Sequence, residues 1–256
     1  MLLCLDIGNS HIFGGVFGEN KILLRFRHPT YSNATSDQLG TFLKNVLQEN
    51  NFDPNQITMV GLCSVVPAID YSLKAACKKY FKVDPFVLTT RTKSNIAIKT
   101  INPEENGADI IAEVIAATHQ YPQKNIIVID FGTVTTMAAV NENQEYLGVT
   151  FIPGINTAMN SLQMNAANLF QVEIIEPKNA LGKSTIESIQ SGLFFGHLGA
   201  IKEITSRITK EIFSSPPLII ATGGFAHVFS EEKLFNHLEP DLVLHGIKIA
   251  YELNKK

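Results

Sequence analysis

The sequence predicts an α/β chain with mixed sheets, built from two copies of one unit with a cleft between them. Apolar strand-like runs alternate with amphipathic helical runs, but without the regular rhythm of an all-parallel sheet. Residues 2–9 (LLCLDIGN) are similar to residues 126–133 (IIVIDFGT), so Asp6 and Asp130 lie 124 residues apart in a chain of 256. Each copy is followed by a second strand-like run, as a hairpin requires. Chance similarity of two buried strands is the alternative, because the shared pattern is short.

The first half of the chain is predicted to begin with strands and then to alternate helices with strands. The predicted elements are two or three strands within residues 2–28 with a turn at Asn20-Lys21, a helix over 36–50 with Ser36 as N-cap, a strand at 59–67, and helices over 69–81 and 107–119. We expect this half, residues 1–120, to form the N-terminal domain.

The second half, residues 121–256, is predicted to form the C-terminal domain. Its predicted elements are a strand at 126–130, a turn at 141–144, a strand at 146–152, a helix after Pro153-Gly154, a long helix over 184–213 interrupted by Gly192, Gly196 and Gly199, a strand at 218–222 and a turn at Gly223-Gly224.

Composition excludes several classes of protein. Hydrophobic residues make up 45% and charged residues 18%, which is typical of a globular protein, and the net charge of −3 gives no reason to expect nucleic acid or an anionic membrane as a partner. The three cysteines, Cys4, Cys63 and Cys77, lack metal-ligand spacing. They are typical of buried thiols in a reducing compartment rather than of disulfides. The sequence start lacks the pattern of a signal peptide, so we expect a cytoplasmic protein.

The strand at 126–130 ends in the carboxylate of Asp130, and Gly132 follows shortly afterwards, which is unusual for a buried strand. A buried carboxylate is costly unless donors or a cation accompany it, so Asp130 indicates a bound ligand or metal. Gly132 lets a phosphate approach the backbone, and we expect Thr133, Thr135 and Thr136 to supply hydroxyl donors. The same pattern at Asp6, Gly8, Asn9 and Ser10 predicts a second phosphate-binding turn. An ordinary tight turn is the alternative for a single copy.

Residues 180–185 (ALGKST) look like the end of a P-loop, but the position of its first glycine holds Pro177. Proline has no amide hydrogen to donate to a phosphate. Ser184 and Glu187 instead predict a capping box that opens the long helix.

Seven short motifs in one order resemble those of the type III pantothenate kinases, a family of the actin-like and sugar-kinase ATPase superfamily, whose domains are also ribonuclease H-like. The motifs are DIGNS at 6–10, CSVVP at 63–67, NPEENGAD at 102–109, DFGT at 130–133, IPG at 152–154, STIESIQSG at 184–192 and TGG at 222–224. The resemblance implies ATP-dependent phosphorylation of pantothenate to 4′-phosphopantothenate, the first step of coenzyme A biosynthesis. It also implies a homodimer, Mg²⁺ with ATP, and a monovalent cation, K⁺ or NH₄⁺.

The resemblance also implies roles for individual residues. Asp109 matches the general base; its place near a helix N-terminus predicts a low pKa, because the dipole favours the ionised form. Asp130 matches the ligand of the monovalent cation. The matches to ATP-binding positions are Asp6, Ile7, Gly8, Asn9, Ser10, His11, Ile12, Phe13 and Thr133. The matches to substrate-binding positions are Thr100, Gly107, Ala108, Asp109, Ile110 and Thr185.

The sequence departs from the family pattern around the acceptor pocket. Ile110 stands where the family has an arginine that helps to hold the substrate carboxylate, and Thr100 stands where it has a tyrosine. Losing a charge-assisted contact costs about 1.5–3 kcal/mol. Two alternatives therefore stay open: a phosphotransferase of the same superfamily with another acceptor, and a non-catalytic nucleotide-binding paralogue.

Overall fold

The computed structural model describes residues 1–19 and 21–255. Asn20, where the sequence predicts a turn, and Lys256, at the end of the second predicted domain, lie outside the described residues. The chain divides into two units. The first contains Met1–Asn95, Ile101–Ala116 and the segment from Leu242 onward, and the second contains Ile96–Thr100 and Ala117–Asp241.

Strands and helices alternate along the described residues. The strands are β1 (Leu2–Ile7), β2 (His11–Gly18), β3 (Lys21–Pro29), β4 (Met59–Ser64), β5 (Phe86–Val87), β6 (Ala97–Ile98), β7 (Ile126–Phe131), β8 (Val134–Val140), β9 (Glu145–Pro153), β10 (Leu218–Thr222) and β11 (His237–Leu238). The α-helices are α1 (Ser36–Glu49), α2 (Pro67–Ala76), α3 (Ala108–Gln120), α4 (Ile155–Asn165), α5 (Thr185–Ile212) and α6 (Leu242–Asn254). None of these helices within the described part of the chain is long and apolar enough to cross a membrane.

The first unit is built on a sheet with the strand order β3-β2-β1-β4-β5. β1, β2 and β3 form an antiparallel meander, and β4 and β5 continue the sheet parallel to β1. Successive side chains of a strand point to opposite faces. Leu3, Leu5 and Ile7 enter a core shared with α1 and α2, whereas Cys4 and Asp6 point to the other face.

α6 and the first part of α3 cover the face that carries Asp6. The Leu244 side chain of α6 lies next to Gly15 of β2, and Gly246 lies against the main chain of Ala112 in α3. The first unit therefore has helices on both faces of its sheet, and its last helix comes from the end of the described chain.

The second unit repeats the architecture of the first. Its sheet has the order β11-β10-β7-β8-β9-β6, with β7, β8 and β9 antiparallel and β10 and β11 parallel to β7. Without β6, strand order and directions match the first sheet. Asp6 and Asp130 occupy the same place, one residue before the end of β1 and β7. The predicted duplication and mixed α/β class are confirmed; the cleft stays a prediction.

The core of the second unit lies between its sheet and helices α4 and α5. Ile127, Ile129 and Phe131 of β7 point into this core, so Asp130 points to the opposite face. α5 runs unbroken for 28 residues through the three glycines that the sequence predicts as interruptions. Packing of its apolar side against the sheet offsets their low helix propensity.

Two details differ from the sequence predictions. Thr35, not Ser36, caps α1: its hydroxyl accepts from the Gln38 N–H, and the Gln38 side chain accepts from the Thr35 N–H. α6, predicted within the C-terminal domain, belongs to the first unit. Its apolar side packs on β1 and β4, which sequence order does not reveal.

Candidate active site

The first turn, Gly8-Asn9-Ser10, joins β1 to β2. It is closed by the Gly8 N–H, which donates to the His11 carbonyl at 3.0 Å. Thr30, directly after β3, supports it: the hydroxyl donates to the Gly8 carbonyl at 2.7 Å and the N–H to the Ser10 carbonyl at 3.0 Å. The side chains of Asn9, Ser10 and His11 are exposed.

Three predicted nucleotide contacts have buried side chains. Ile7 and Ile12 belong to the core beneath α1 and α2, and Phe13 is only 7% exposed. These positions can offer main-chain atoms only. Of the predicted nucleotide contacts in this segment, side-chain hydrogen bonds would therefore come from the turn.

Asp109 is the second residue of α3. Its Oδ1 accepts a hydrogen bond from the Ile110 N–H at 2.8 Å. A Cβ on Gly107 would lie 2.3 Å from that oxygen, so only glycine leaves room for this conformation. The predicted low pKa is wrong. Burial raises the pKa of Asp109 above its usual value, and the backbone hydrogen bonds offset only part of the rise, so Asp109 is the stronger base.

Cys63 of β4 links Asp6 with Asp109 in the first unit. It is paired with Asp6 in parallel register, so their side chains are neighbours on one face. Burial first, then the charges of Asp6, Asp109 and Glu113, raise the pKa of the Cys63 thiol, which donates a hydrogen bond to Asp6. The charges of three carboxylates therefore act on one protonated thiol. Glu113 was not among the residues predicted from the sequence, although its position one helical turn after Asp109 is a signal that points to it.

The second turn, Gly132-Thr133, joins β7 to β8. Gly154, directly after β9, donates its N–H to the Thr133 carbonyl at 3.1 Å. The Thr157 hydroxyl of α4 donates to the same oxygen at 2.6 Å. The exposed Thr133 side chain thus stands on a turn that two other segments hold in place.

The carboxylate of Asp130 lies between glycines of two loops. A Cβ on Gly132 would lie 3.1 Å from its Oδ2, and a Cβ on Gly223 would lie 2.1 Å from its Oδ1. Gly223 also has a φ of +90°, which favours glycine. Gly223, the first glycine of the TGG motif, therefore leaves the space that the Asp130 carboxylate occupies.

The other two threonines near this turn are buried, so the expectation that they donate to a phosphate is wrong. The Thr135 hydroxyl shares a hydrogen bond of 2.9 Å with His197 Nε2. Burial lowers the pKa of His197, which keeps the ring neutral at pH 7. Thr136 is 7% exposed and points to the same face as Asp130.

The surroundings of Asp130 fit a cation. Thr136 of β8 and Thr222 of β10 are both paired with it in register and both buried. The Thr136 hydroxyl has no hydrogen-bond partner among the described residues, which is costly for a buried group. Among all the residues that the structure describes, no three His, Cys, Asp or Glu side chains are grouped closely enough to hold a metal ion. A cation at Asp130 would therefore use hydroxyl and carbonyl oxygens as well.

The predicted acceptor-binding residues belong to both units. Gly107, Ala108, Asp109 and Ile110 lie in the first unit, and Thr100 and Thr185 lie in the second. Ile110 is a core side chain, 4% exposed. Thr185 is exposed at the start of α5, after Ser184, whose hydroxyl accepts from the Glu187 N–H at 3.2 Å as predicted. The Glu187 carboxylate reaches the Lys183 N–H at 2.7 Å instead of completing the capping box.

Residues 2–207 match the family model described as type III pantothenate kinase. Type III pantothenate kinase of Legionella pneumophila (strain Corby) is 53% identical over 255 residues, 99% of each chain. Type III pantothenate kinase 1 of Francisella tularensis subsp. holarctica (strain OSU18) is 47% identical over 256 residues, 100% of each chain.

A solved structure from Campylobacter jejuni, named as a Baf family transcriptional activator, matches with a TM-score of 0.61 over 98% of both chains. At 17% identity this likeness concerns the fold alone. The family model and the relatives identify the family, and the two sheets of equal order carry its fold. The chain belongs to the type III pantothenate kinase family and has the actin-like fold that its sequence predicts.

Proposed function

We propose that this protein transfers the γ-phosphoryl group of ATP to pantothenate and forms 4′-phosphopantothenate, the first step of coenzyme A biosynthesis. The observation that carries the proposal is the Asp-x-Gly turn at the same place in two sheets of equal order. The first unit also contains Asp109 of α3, a carboxylate whose raised pKa suits it to act as a base. Family membership supports the choice of substrates.

Asp109 is the proposed general base. The 4′-hydroxyl oxygen of pantothenate bonds to the γ-phosphorus, the bond from that phosphorus to the ADP oxygen breaks, and the hydroxyl proton passes to Asp109. Because phosphoryl transfer has a loose transition state, the carboxylate first orients the hydroxyl and accepts the proton late. The Ile110 N–H holds one carboxylate oxygen, which leaves Oδ2 for the hydroxyl.

The two turns are the proposed phosphate-binding elements. The first offers exposed Asn9 and Ser10 side chains and main-chain N–H groups, and the second offers the Thr133 hydroxyl. Mg²⁺ accompanies ATP, and Asp6 is its proposed protein ligand. When bound, the metal neutralises charge on the phosphates.

Asp130 and Thr136 are the proposed ligands of a monovalent cation, K⁺ or NH₄⁺. The support is the Asp130 carboxylate, which is paired in register with Thr136, whose buried hydroxyl lacks a partner among the described residues. When bound, the ion would supply positive charge that offsets Asp130.

The exposed side of α5 supports a homodimer. Gly192, Gly196 and Gly199 lie along it at intervals of four and three residues, and a Cβ on any of them would meet nothing within 4 Å. Phe195, beside them, is 37% exposed. Small residues on one helix side let a second helix approach closely. We place the enzyme in the cytoplasm, where ATP is available and buried thiols stay reduced.

A different acceptor is the second candidate function, and Ile110 favours it. A buried isoleucine at the start of α3 offers no charge to a carboxylate. An acceptor alcohol without an acidic group would suit this position.

The test incubates purified protein with ATP, Mg²⁺, potassium or ammonium, and pantothenate, and looks for phosphopantothenate. Product formation is the expected result. No product, but ADP release with another alcohol, would favour the second candidate. Nucleotide binding without turnover would favour a non-catalytic paralogue.

A further inference from the structure

A row of four paired residues crosses the first sheet one pleat below the first turn. Arg27 of β3 pairs with Phe13 of β2, Phe13 with Asp6 of β1, and Asp6 with Cys63 of β4. Residues paired in this way point to the same face of a sheet. Arg27 therefore lies on the face of Asp6, opposite to the core that receives its neighbour Phe26.

The guanidinium of Arg27 packs on an aromatic ring. Its Cζ lies 4.1 Å from the centroid of the Phe13 ring, a cation–π contact that orients the planar group. Adjacent strands are about 4.8 Å apart, so the charge is displaced from β3 toward Asp6 on β1.

The charge of Arg27 is unused by the described protein. Its side chain makes no ion pair or hydrogen bond with any residue in the described ranges, and it is exposed. Arg91, by contrast, donates from Nε to Glu104 at 2.9 Å. Arg27 has five N–H donors in a rigid fork that matches carboxylate or phosphate oxygens.

The opposite end of the row is strongly negative. The charges of Asp6, Asp109 and Glu113 act on Cys63, which is paired with Asp6 in register. Both proposed reactants are anions as well. An anion that approaches this face meets repulsion unless a cation offsets it. Arg27 is a basic group in the same row, on the same face, with its donors free.

We propose that Arg27 binds an anionic oxygen group of one reactant, either a phosphate of ATP or the carboxylate of pantothenate. The inference rests on the proposed function, and it makes Arg27 a specificity residue of the first unit. Loss of one charge-assisted contact corresponds to roughly a 10- to 100-fold rise in KM.

The test compares Arg27→Gln and Arg27→Lys with the matched control Arg25→Gln. Arg25 is on the same strand and face, about 6.6 Å farther from the turn. We expect Arg27→Gln to raise one KM about tenfold or more at little changed kcat, Arg27→Lys to raise it less, and Arg25→Gln to change it less than about twofold. Thermal unfolding checks that each variant is folded.

Two arms identify the anion. A higher KM for ATP indicates a phosphate. A higher KM of Arg27→Gln for pantothenate, but not for its neutral primary amide, indicates the carboxylate. Either of these two results supports the proposal. Unchanged KM values in folded Arg27→Gln, or equal effects of Arg25→Gln, would overturn it.

Failure of the proposed function is distinguishable, because then the wild type itself forms no phosphopantothenate. In that case, the rise in melting temperature with MgATP or with pantothenate alone is compared between wild type and Arg27→Gln. An equal rise in both proteins for each ligand counts against Arg27, and a smaller rise in the variant supports it.

Discussion

Asp6 and Asp130 end equivalent strands in sheets of equal order, yet their neighbours in register differ. Asp6 lies between Phe13 and the Cys63 thiol, whereas Asp130 lies between Thr136 and Thr222. An aromatic ring and a protonated thiol offer few ligand atoms, but two hydroxyls beside a carboxylate resemble the oxygen shell of a hard cation. The duplicated backbone sets the position of each carboxylate, and the neighbouring strands decide its chemistry.

The supports of the two turns differ in the same way. Thr30 holds the first turn through two hydrogen bonds from one residue. Gly154, directly after β9, and Thr157 of α4 hold the second turn. The first turn keeps three exposed polar side chains, and the second keeps one. The difference favours the proposal that phosphate contact occurs mainly at the first turn and cation binding beside the second.

The largest loss of activity is expected at Asp109, the proposed general base of the first unit; we propose no such base for the second unit. Asp109→Asn should lower kcat by about 10²- to 10⁴-fold, because the hydroxyl loses its base. Initial rates of ADP release measure this. A variant that turns over at nearly the wild-type rate would remove Asp109 from the mechanism.

The pH dependence of stability is the control for folding of that variant. The pKa of Asp109 is raised in the folded state, so its ionisation costs stability as pH rises through that pKa. Asp109→Asn should therefore melt higher than wild type at pH 7. The difference should shrink as pH falls through the raised pKa; a lower melting point at pH 7 would contradict it.

The next effect separates the two strand-ending carboxylates. Asp130→Asn should abolish the rise in melting temperature that potassium gives the wild type, because the charge that binds the ion is lost. Sodium should give a smaller rise and slower turnover. Asp6→Asn is the matched control and should keep the potassium effect; if it also loses that effect, the two carboxylates do not have separate roles.

A smaller effect is expected in the loop that admits Asp130. Gly223→Ala should destabilise the protein by roughly 1–3 kcal/mol, because alanine is strained at positive φ and its Cβ would meet Asp130 and the main chain of Phe131. Urea unfolding measures the change. Gly224→Ala is the control, since a Cβ there meets nothing within 4 Å. Equal losses of stability in the two variants would show that the Asp130 carboxylate is not the reason why position 223 needs glycine.

The smallest effect is expected at Thr136. Without potassium, Thr136→Val should be about 1 kcal/mol more stable than wild type, because a buried hydroxyl without a protein partner is removed. With potassium, the variant should gain less than wild type. Thr205→Val removes another buried hydroxyl that lacks a partner in the described structure, and it should keep the full potassium gain. Equal potassium gains in both variants would exclude Thr136 as a ligand.

The sequence was sufficient for features set by short segments. The repeated strand, the aspartate and the glycine turn are local, and so are the helical periods of α1 and α3. Register neighbours are not local: Thr222 follows Asp130 by 92 residues, and only strand pairing brings them together. The pKa of Asp109 was predicted from the helix dipole alone, whereas burial dominates it. Thr135 looked like a phosphate ligand until the fold placed His197 against it.

The C-terminal helix gives the chain an order of assembly. Ala117–Asp241 of the second unit precede in the order of synthesis the residues from Leu242 onward, which form α6 of the first unit. Until α6 is made, the sheet face that carries Cys4 and Asp6 lacks one of the two helices that cover it. Removal of α6 would expose Cys4 of β1, which is fully buried, together with Gly15 and Gly61, which lie against Leu244 and Ile247 of this helix.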